Sequence, residues 1–140
     1  MILLDTDHVT LLQWGGAPAR KIARRLEEAV SEVASTTIIS YEEHARGWLS
    51  RVSAAKTLAD EVTVYRKLRE QLAFYATLQI MDFDERAAIQ FQHLRRIPVR
   101  IGTMDLKIAA IALACNALLL TRNLRDFNKV PELHVEDATR

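Results

Sequence analysis

Short apolar segments that favour β-strands alternate with longer helical segments along the whole chain, and this alternation constrains the fold more than any other feature. The strand-like segments lack a strict period of two, which indicates strands that are buried on both faces. The predicted strands are residues 2–4, 35–39, 78–83, 117–120 and 133–135. The pattern predicts an α/β fold, a three-layer α/β/α sandwich in which helices cover a short parallel sheet of about four to five strands.

Helical spacing and helix-start signals place the covering helices between those strands. Ser40 is predicted to cap one helix, because Ser40 and Glu43 have the spacing of a capping box. Asp84 is predicted to cap another helix, which stops at Pro98. The remaining predicted helices are residues 9–12, 19–30, 57–77 and 104–115, and the capping-box helix runs from 40 towards 52. Residues 121–127 are predicted to form a loop or a single helical turn.

The totals fit one cytoplasmic domain that spans residues 1–140. Hydrophobic residues make up 49% of the sequence, which is typical of a globular protein. No apolar run reaches the roughly 18 residues that span a bilayer, and the amino terminus lacks the features of a secretory signal. Cys115 is the only cysteine, so no disulfide framework is expected. The net charge of +1 does not by itself indicate a nucleic-acid binder.

Acidic side chains gather where the strands are predicted to end. In parallel sheets that are covered on both faces, ligands bind beyond the carboxyl ends of the strands. The side chains at this edge are Asp5 and Asp7 after the first strand, Glu42 and Glu43 after the second, Asp105 in the first turn of the helix before the fourth strand, and Asn123 and Asp126 after the fourth. Their shared location indicates a site at this edge.

Clustered carboxylates favour a divalent cation. Two like charges about 4 Å apart repel by roughly 4 kcal/mol at an effective dielectric of 20, and without a counter-ion one of them would take up a proton. The four histidines are far apart in sequence, which does not fit a zinc site, whereas oxygen ligands suit Mg²⁺ or Mn²⁺. The residues therefore predict a metal-dependent enzyme that acts on a phosphate ester or phosphodiester.

Each acid also has a structural interpretation. The alternatives are a helix cap for Asp5 or Asp7, complementation of the helix dipole for Asp105, and a surface turn for Asp126. Adjacent helical residues face about 100° apart, so at most one of Glu42 and Glu43 is expected to point into the site.

Three segments resemble those of the PIN-domain ribonucleases, and within them the VapC-type toxins of bacterial toxin–antitoxin pairs. LLDTD at residues 3–7 is similar to the family's apolar strand followed by D-T-N or D-T-D. IISYEEHARG at 38–47 is similar to the family's strand, Ser or Thr, and E-L-x-x-G. GTMDLKIAA at 102–110 is similar to the segment in which Asp opens an Ala-rich helix. The resemblance implies that Asp5, Glu43 and Asp105 are metal ligands.

The fourth position departs from the family's pattern. Many members have T-x-D after the fourth strand, whereas TRNLRDF at 121–127 places Asn123 there and Asp126 three residues later. Residues i and i+3 of a helical turn lie on one side, so both side chains would approach the metal. Asn offers only a neutral oxygen, which weakens the charge compensation available to a second ion.

The resemblance also implies the reaction. Asp5, Glu43, Asp105 and Asp126 would hold one or two Mg²⁺ or Mn²⁺ ions, which would activate a water molecule for attack on an RNA phosphorus. The chain would then be an endoribonuclease that acts on tRNA or another structured RNA.

Supporting residues and partners follow from the same resemblance. Thr6 and Thr121 would hydrogen-bond to the metal ligands. The basic side chains expected along the RNA backbone are Arg20, Lys21, Arg24 and Arg95. The resemblance further implies a homodimer and a cognate antitoxin whose segment fills the active-site groove.

Two other functions compete with this one. A phosphatase of the haloacid-dehalogenase type also has D-x-D after its first strand, with the first Asp as a nucleophile. The second alternative is a non-catalytic module that binds RNA or an antitoxin. It is suggested by Asn123, which stands where many family members have an aspartate. Trp14 and Trp48 are expected in the core or an interface rather than as platforms for stacked bases.

Overall fold

The structure is a computed structural model that describes residues 1–29 and 34–140. The described residues form a five-stranded parallel sheet in which the strand order is β3-β2-β1-β4-β5. The strands are β1 (Ile2–Leu4), β2 (Ala34–Thr37), β3 (Gln79–Met81), β4 (Leu118–Leu120) and β5 (His134–Glu136). The helices are α1 (Thr6–Trp14), α2 (Ala17–Glu28), α3 (Ile38–Ala54), α4 (Leu58–Tyr75), α5 (Glu85–Arg95), α6 (Thr103–Ala114) and α7 (Leu124–Phe127).

The central strand β1 shows how the sheet divides the core into two parts. Ile2 and Leu4 pack in a cluster with Val9 of α1 and Ile22 of α2. Leu3, which points to the opposite face, packs in a second cluster with residues of α5 and α6. The sheet is therefore covered on both faces, as the absence of strict alternation predicts, and the predicted three-layer α/β fold is confirmed.

The strands end together at the edge that carries the acids. Leu4 of β1 pairs with Leu120 of β4, and the backbone N–H of Asp5 extends this pairing by donating to the Leu120 carbonyl at 3.0 Å. On the other side of β1, the hydroxyl of Thr36 donates to the Leu4 carbonyl at 2.8 Å. These bonds fix the point at which the chain leaves the sheet after Leu4.

The second strand is shorter than its β-branched sequence predicts. β2 ends at Thr37, and Ile38 and Ile39 form the first residues of α3. Ser40 is not the N-cap that the capping-box spacing predicts, because the side chain of Thr37 accepts from the Ser40 N–H at 3.1 Å and caps α3 instead. Burial of Ile39 in the core outweighs its local preference for a strand. Glu43 consequently lies in the second turn of α3 rather than the first.

The other boundaries are close to those predicted. The Asp84 side chain accepts from the Ala87 N–H at 3.0 Å and caps α5, as predicted. α1 begins at Thr6, three residues before the predicted start, because Asp5 caps it. β3 covers only the centre of the predicted strand at 78–83, and the predicted end of α2 at Val30 lies outside the described residues. Within the described ranges, each helix is too short or too polar to cross a membrane.

Candidate active site

Asp5 leaves the sheet directly after β1 and is almost fully buried. Its Oδ1 accepts from the backbone N–H of His8 at 2.8 Å, so the side chain caps α1. The structural interpretation of this residue is therefore correct, and the functional one is compatible with it, because the cap fixes the carboxylate at the sheet edge while Oδ2 takes no part in the cap. Asp7, by contrast, is exposed in the first turn of α1 and caps nothing.

Glu43 reaches the same edge from α3. The hydroxyl of Thr6 donates to Glu43 Oε1 at 2.7 Å and also lies 3.1 Å from the hydroxyl oxygen of Ser40. The neighbouring Glu42 instead pairs with Arg46 on the surface of the same helix. Only one of the two adjacent glutamates faces the site, as the helical geometry predicts.

Asp105 lies in the first turn of α6, among the other acids. Burial raises the pKa of this carboxyl to about 6, and nearby negative charges add to the effect. Those charges belong to Glu43, Asp5 and Asp126. Because three separate carboxylates act on Asp105 in addition to burial, the sheet edge gathers four acids whose charges repel one another.

Asp126 and Asn123 lie on one side of the short helix α7, as the spacing i, i+3 predicts. The side-chain amide of Asn123 donates to Asp126 Oδ2 at 3.0 Å, and the ammonium of Lys129 lies 3.3 Å from Oδ1. These hydrogen bonds hold the pKa of Asp126 below its ordinary value. Because the Asn123 nitrogen faces Asp126, its carbonyl oxygen is the atom left for another ligand.

Thr121 acts on the backbone of this region rather than on a carboxylate. It is fully buried at the end of β4, and its hydroxyl accepts from the Asn123 N–H at 2.9 Å. The turn that carries Asn123 is thereby held against the sheet. A cleft of about 460 Å³ opens beside it, lined by Asp5, Asp7, Arg122 and Asn123. Arg122 Nε lies 3.7 Å from Asp7 Oδ2 across this cleft.

His8 is a neighbour of the acids that the sequence analysis missed. It is fully buried, and its Nδ1 lies 3.4 Å from Asp5 Oδ1. The Ala138 N–H approaches Nε2 at 3.4 Å. Within the described part of the chain, Nδ1 has no other hydrogen-bond partner. The position of His8 three residues after Asp5, on the capped turn, is the only sequence signal for this contact.

The predicted RNA-binding bases do not form one cluster. Arg20 and Arg24 are exposed on α2, and Lys21 donates to the Thr139 carbonyl at 3.2 Å. Arg95 belongs to α5, where it lies over the ring of Phe91. Because α2 and α5 cover opposite faces of the sheet, the structure separates Arg95 from the α2 bases.

The donor set fits a hard divalent cation that keeps part of its water shell. Across the described ranges, no three His, Cys, Asp or Glu side chains lie close enough together to hold a metal ion by themselves. Mg²⁺ is usually held by one or two carboxylates together with waters and substrate phosphates, so a closed cage is not required. Burial and the charges of the neighbouring carboxylates together raise the pKa of Asp105, and a bound cation would relieve the repulsion among these acids. Asp5, Glu43 and Asp105 could hold such an ion, with Asp126 and Asn123 beside them.

The chain is similar to known proteins over most of its length. It matches the PIN domain family over residues 2–133. A relative from Salmonella typhimurium (strain LT2), named tRNA(fMet)-specific endonuclease VapC, is 34% identical over 88 residues, which are 60% of this chain and 64% of the relative. Ribonuclease VapC2 of Rickettsia felis is 35% identical over 68 residues, 46% of this chain and 51% of the relative. Each alignment thus spans less than two thirds of the curated relative.

A solved structure extends the similarity to the complete fold. The crystal structure of VapBC2 from Rickettsia felis bound to a DNA fragment from their promoter superposes with a TM-score of 0.72 at 27% identity, and the match covers 98% of both chains. The family match, the parallel sheet and the acids at its carboxyl edge agree with one another. The chain belongs to the PIN domain family.

Proposed function

We propose that this protein is a Mg²⁺- or Mn²⁺-dependent endoribonuclease that hydrolyses RNA phosphodiester bonds. The observation that carries the proposal is the gathering of Asp5, Glu43 and Asp126 around the half-buried Asp105, whose pKa is raised to about 6 by burial and by these three charges. Repulsion among clustered carboxylates destabilises the folded protein unless a bound cation compensates their charges. Membership of the PIN domain family and the two relatives named as nucleases support the same reaction.

The ion would be held by Asp5, Glu43 and Asp105, with Asp126 and Asn123 as further oxygen donors. When bound, it would lower the pKa of a water molecule and neutralise charge on a phosphoryl oxygen. The protein's own residues orient this set. Thr6 fixes one oxygen of Glu43, the cap of α1 fixes Asp5, and the Asn123 amide fixes Asp126.

The substrate we propose is a structured RNA such as tRNA. The Salmonella relative is named for the tRNA of formylmethionine, and the open cleft beside the acids gives access to an RNA backbone. Arg122 at this cleft and Lys129 beside Asp126 carry positive charge to the site. The exposed α2 bases Arg20 and Arg24 extend the positive surface, whereas Arg95 lies on the opposite face of the sheet and is the weakest candidate of the predicted set.

We also propose that the protein acts in the cytoplasm as the toxin of a toxin–antitoxin pair. The Rickettsia structure contains VapBC2, and a homodimer with a cognate antitoxin is the matching assembly for this chain. An apolar groove of about 390 Å³ between α3 and α4 supports a protein partner, because Leu49, Tyr65 and Leu72 line it and are more than half exposed. Exposed apolar surface of this kind is typical of an interface.

Membership of the PIN domain family argues against the haloacid-dehalogenase alternative. The remaining alternative is a module that binds RNA or an antitoxin without cutting. Substitutions at two adjacent glutamates distinguish this module from a nuclease. Glu43→Gln removes an acid from the site, whereas Glu42→Gln removes one from the surface pair with Arg46. With antitoxin-free protein, Mg²⁺ and total RNA, we expect the first variant to lose cleavage by at least about 100-fold and the second to cut like the unmodified chain. RNA binding without cleavage by the unmodified chain would favour the non-catalytic module.

A further inference from the structure

A second cavity adjoins the acidic site and shares Glu43 with it. This cavity, which we call the indole pocket, has a volume of about 300 Å³ and is bounded by α1, α3 and α4. Its lining includes Trp14 at the end of α1, Gly47 and Trp48 of α3, and Gln71 of α4. Because Glu43 lines this cavity and accepts a hydrogen bond from Thr6, the residue that follows Asp5, an RNA strand that lies across the acids can place its next nucleotide in the indole pocket.

The polar groups of the indole pocket are paired in a way that fixes its shape. Trp48 Nε1 donates to Gln71 Oε1 at 2.9 Å, and the buried Gln71 donates onward to Gln13 Oε1 at 2.6 Å. The two ring nitrogens of His44 form hydrogen bonds with the hydroxyl groups of Thr10 and Tyr75. The pocket is thus held open by the protein's own hydrogen bonds.

Gly47 keeps one wall of the pocket free of side-chain atoms. A Cβ placed there would meet no other atom within 4 Å, so packing does not require glycine at this position. Glycine in a helix interior destabilises the helix relative to alanine, and Gly47 lies in the middle of the 17-residue helix α3. The absence of a side chain is therefore best explained by the open space that it leaves in the pocket.

Aromatic faces and positive charges occur together at this pocket. The Trp14 side chain is 50% exposed, and the ammonium of Lys67 lies 4.7 Å from the centre of its ring. The guanidinium of Arg51 lies 4.5 Å from the ring centre of Trp48. Indole rings that stack on bases, combined with cations that meet phosphates, are the features by which proteins bind single-stranded nucleic acid. An apolar peptide side chain would gain nothing from the two cations.

We propose that the indole pocket binds one unpaired base of the RNA substrate, next to the phosphate at the acidic site. This inference rests on the proposed function, because it assumes that RNA crosses the acids. A volume of about 300 Å³ is at the lower limit of small-molecule sites, so the pocket fits a single ring system and not a double helix. Trp14 supplies the accessible stacking face, and Gly47 supplies the space.

The test uses two variants of the full chain that change the pocket in opposite ways. Trp14→Ala removes an exposed ring, and Gly47→Leu fills the open wall while placing a better helix former in α3. Leu58→Ala is the matched control, because Leu58 is an apolar side chain 81% exposed on α4 that does not line the pocket. All three are made in the Asp5→Asn background so that RNA stays intact, and binding of a fluorescein-labelled single-stranded RNA hexamer of mixed sequence is measured by anisotropy in Mg²⁺.

We expect Trp14→Ala and Gly47→Leu each to weaken hexamer binding by about 5- to 100-fold, and Leu58→Ala to bind unchanged. Thermal melting should show Gly47→Leu at least as stable as its parent, which excludes misfolding as the cause. Unchanged binding in both pocket variants overturns the inference and is also the result expected if the pocket serves a protein partner. If the unmodified chain cleaves RNA and the variants bind the hexamer unchanged, the base-binding role of the pocket is wrong and the proposed nuclease activity still holds. If the variants bind more weakly and the unmodified chain does not cleave RNA, the base-binding role is supported and the nuclease activity is contradicted.

Discussion

The hydroxyl of Thr6 donates to Glu43 Oε1 at 2.7 Å and joins the first turn of α1 to the second turn of α3. This bond orients the glutamate towards the acids that follow β1 and β4. Groups that orient metal-binding side chains typically account for 10- to 100-fold in metal affinity or activity. Thr6 thus makes the hydrogen bond to an acidic side chain that the resemblance implies, and the structure identifies Glu43 as the acceptor.

Thr6→Val removes this hydroxyl while keeping the volume and branching of the side chain. We expect the variant to fold, and to lose about 10- to 100-fold in Mg²⁺ affinity or in RNA cleavage, measured by calorimetry and by single-turnover assay. Thr6→Ser restores a hydroxyl at the same position and should recover most of the loss. A valine variant that binds Mg²⁺ and cuts RNA like the unmodified chain would show that the bond does not orient Glu43.

Asp105→Asn should stabilise the metal-free protein. The folded-state pKa of Asp105 is about 6, above the ordinary value near 3.9 in an unfolded chain. The contribution of this group to stability is therefore fully present below about pH 4 and is lost as the pH rises through 6. At pH 7.5 in EDTA, we expect the free energy of unfolding of the variant to be higher by about 1–2 kcal/mol, after allowance for solvent screening.

The measurement for Asp105 is thermal melting in EDTA at pH 5 and at pH 7.5, with Asp7→Asn as the control, because Asp7 is an exposed acid. The gain from Asp105→Asn should be larger at pH 7.5, and added Mg²⁺ should stabilise the unmodified chain more than the variant. A variant that melts below the unmodified chain at pH 7.5 would contradict the charge repulsion inferred for this site.

The two roles of Asp5 can be separated by a pair of substitutions. Asparagine caps helices about as well as aspartate does, whereas alanine costs about 0.5–2 kcal/mol at this position. In EDTA we therefore expect Asp5→Asn to retain the stability of the unmodified chain and Asp5→Ala to lose it, as measured by urea unfolding. Both variants should lose Mg²⁺ binding. Equal stability of the two variants would mean that the 2.8 Å bond to the His8 N–H contributes nothing to α1.

Asn123→Asp tests the departure from the family's T-x-D pattern. The substitution replaces the amide that donates to Asp126 at 3.0 Å with a second carboxylate, so the metal-free protein should lose stability while divalent-metal affinity should rise. Calorimetric titration with Mn²⁺, together with melting in EDTA, measures both effects. If metal affinity stays the same or falls, the side chain at 123 does not contribute to the ion's environment.

The sequence is informative about the sheet because each apolar strand lies between helical segments. Buried strands such as 2–4 and 117–120 were predictable from composition and length, and Asp5 could be placed at the sheet edge because it follows the first of them. The boundary between β2 and α3 was not predictable in the same way. Thr37 and Ile39 both favour strands locally. The helix begins at Ile38 because Ile39 packs in the core and the Ser40 N–H donates to the Thr37 side chain.

Contacts between distant segments explain what sequence reasoning missed at the site. The resemblance predicted a hydrogen bond from Thr6 to a metal ligand but not that Glu43, 37 positions away, accepts it, and nothing predicted that His8 meets the backbone of Ala138 across 130 positions. No local pattern encodes either pairing. The indole pocket is likewise formed by three helices, so Trp14 and Trp48 looked like ordinary core or interface residues until the fold placed them beside Glu43.

The central claim is that the acids at the sheet edge hold a divalent ion that cleaves RNA. The most direct measurement is cleavage of total RNA by antitoxin-free protein in Mg²⁺ or Mn²⁺, after EDTA, and after the metal is restored, beside Asp5→Asn. The account predicts discrete fragments that disappear with EDTA, return with the metal and are absent with the variant. Fragments that persist in EDTA, or that Asp5→Asn produces equally well, would contradict it, as would the absence of both cleavage and metal binding in the unmodified chain.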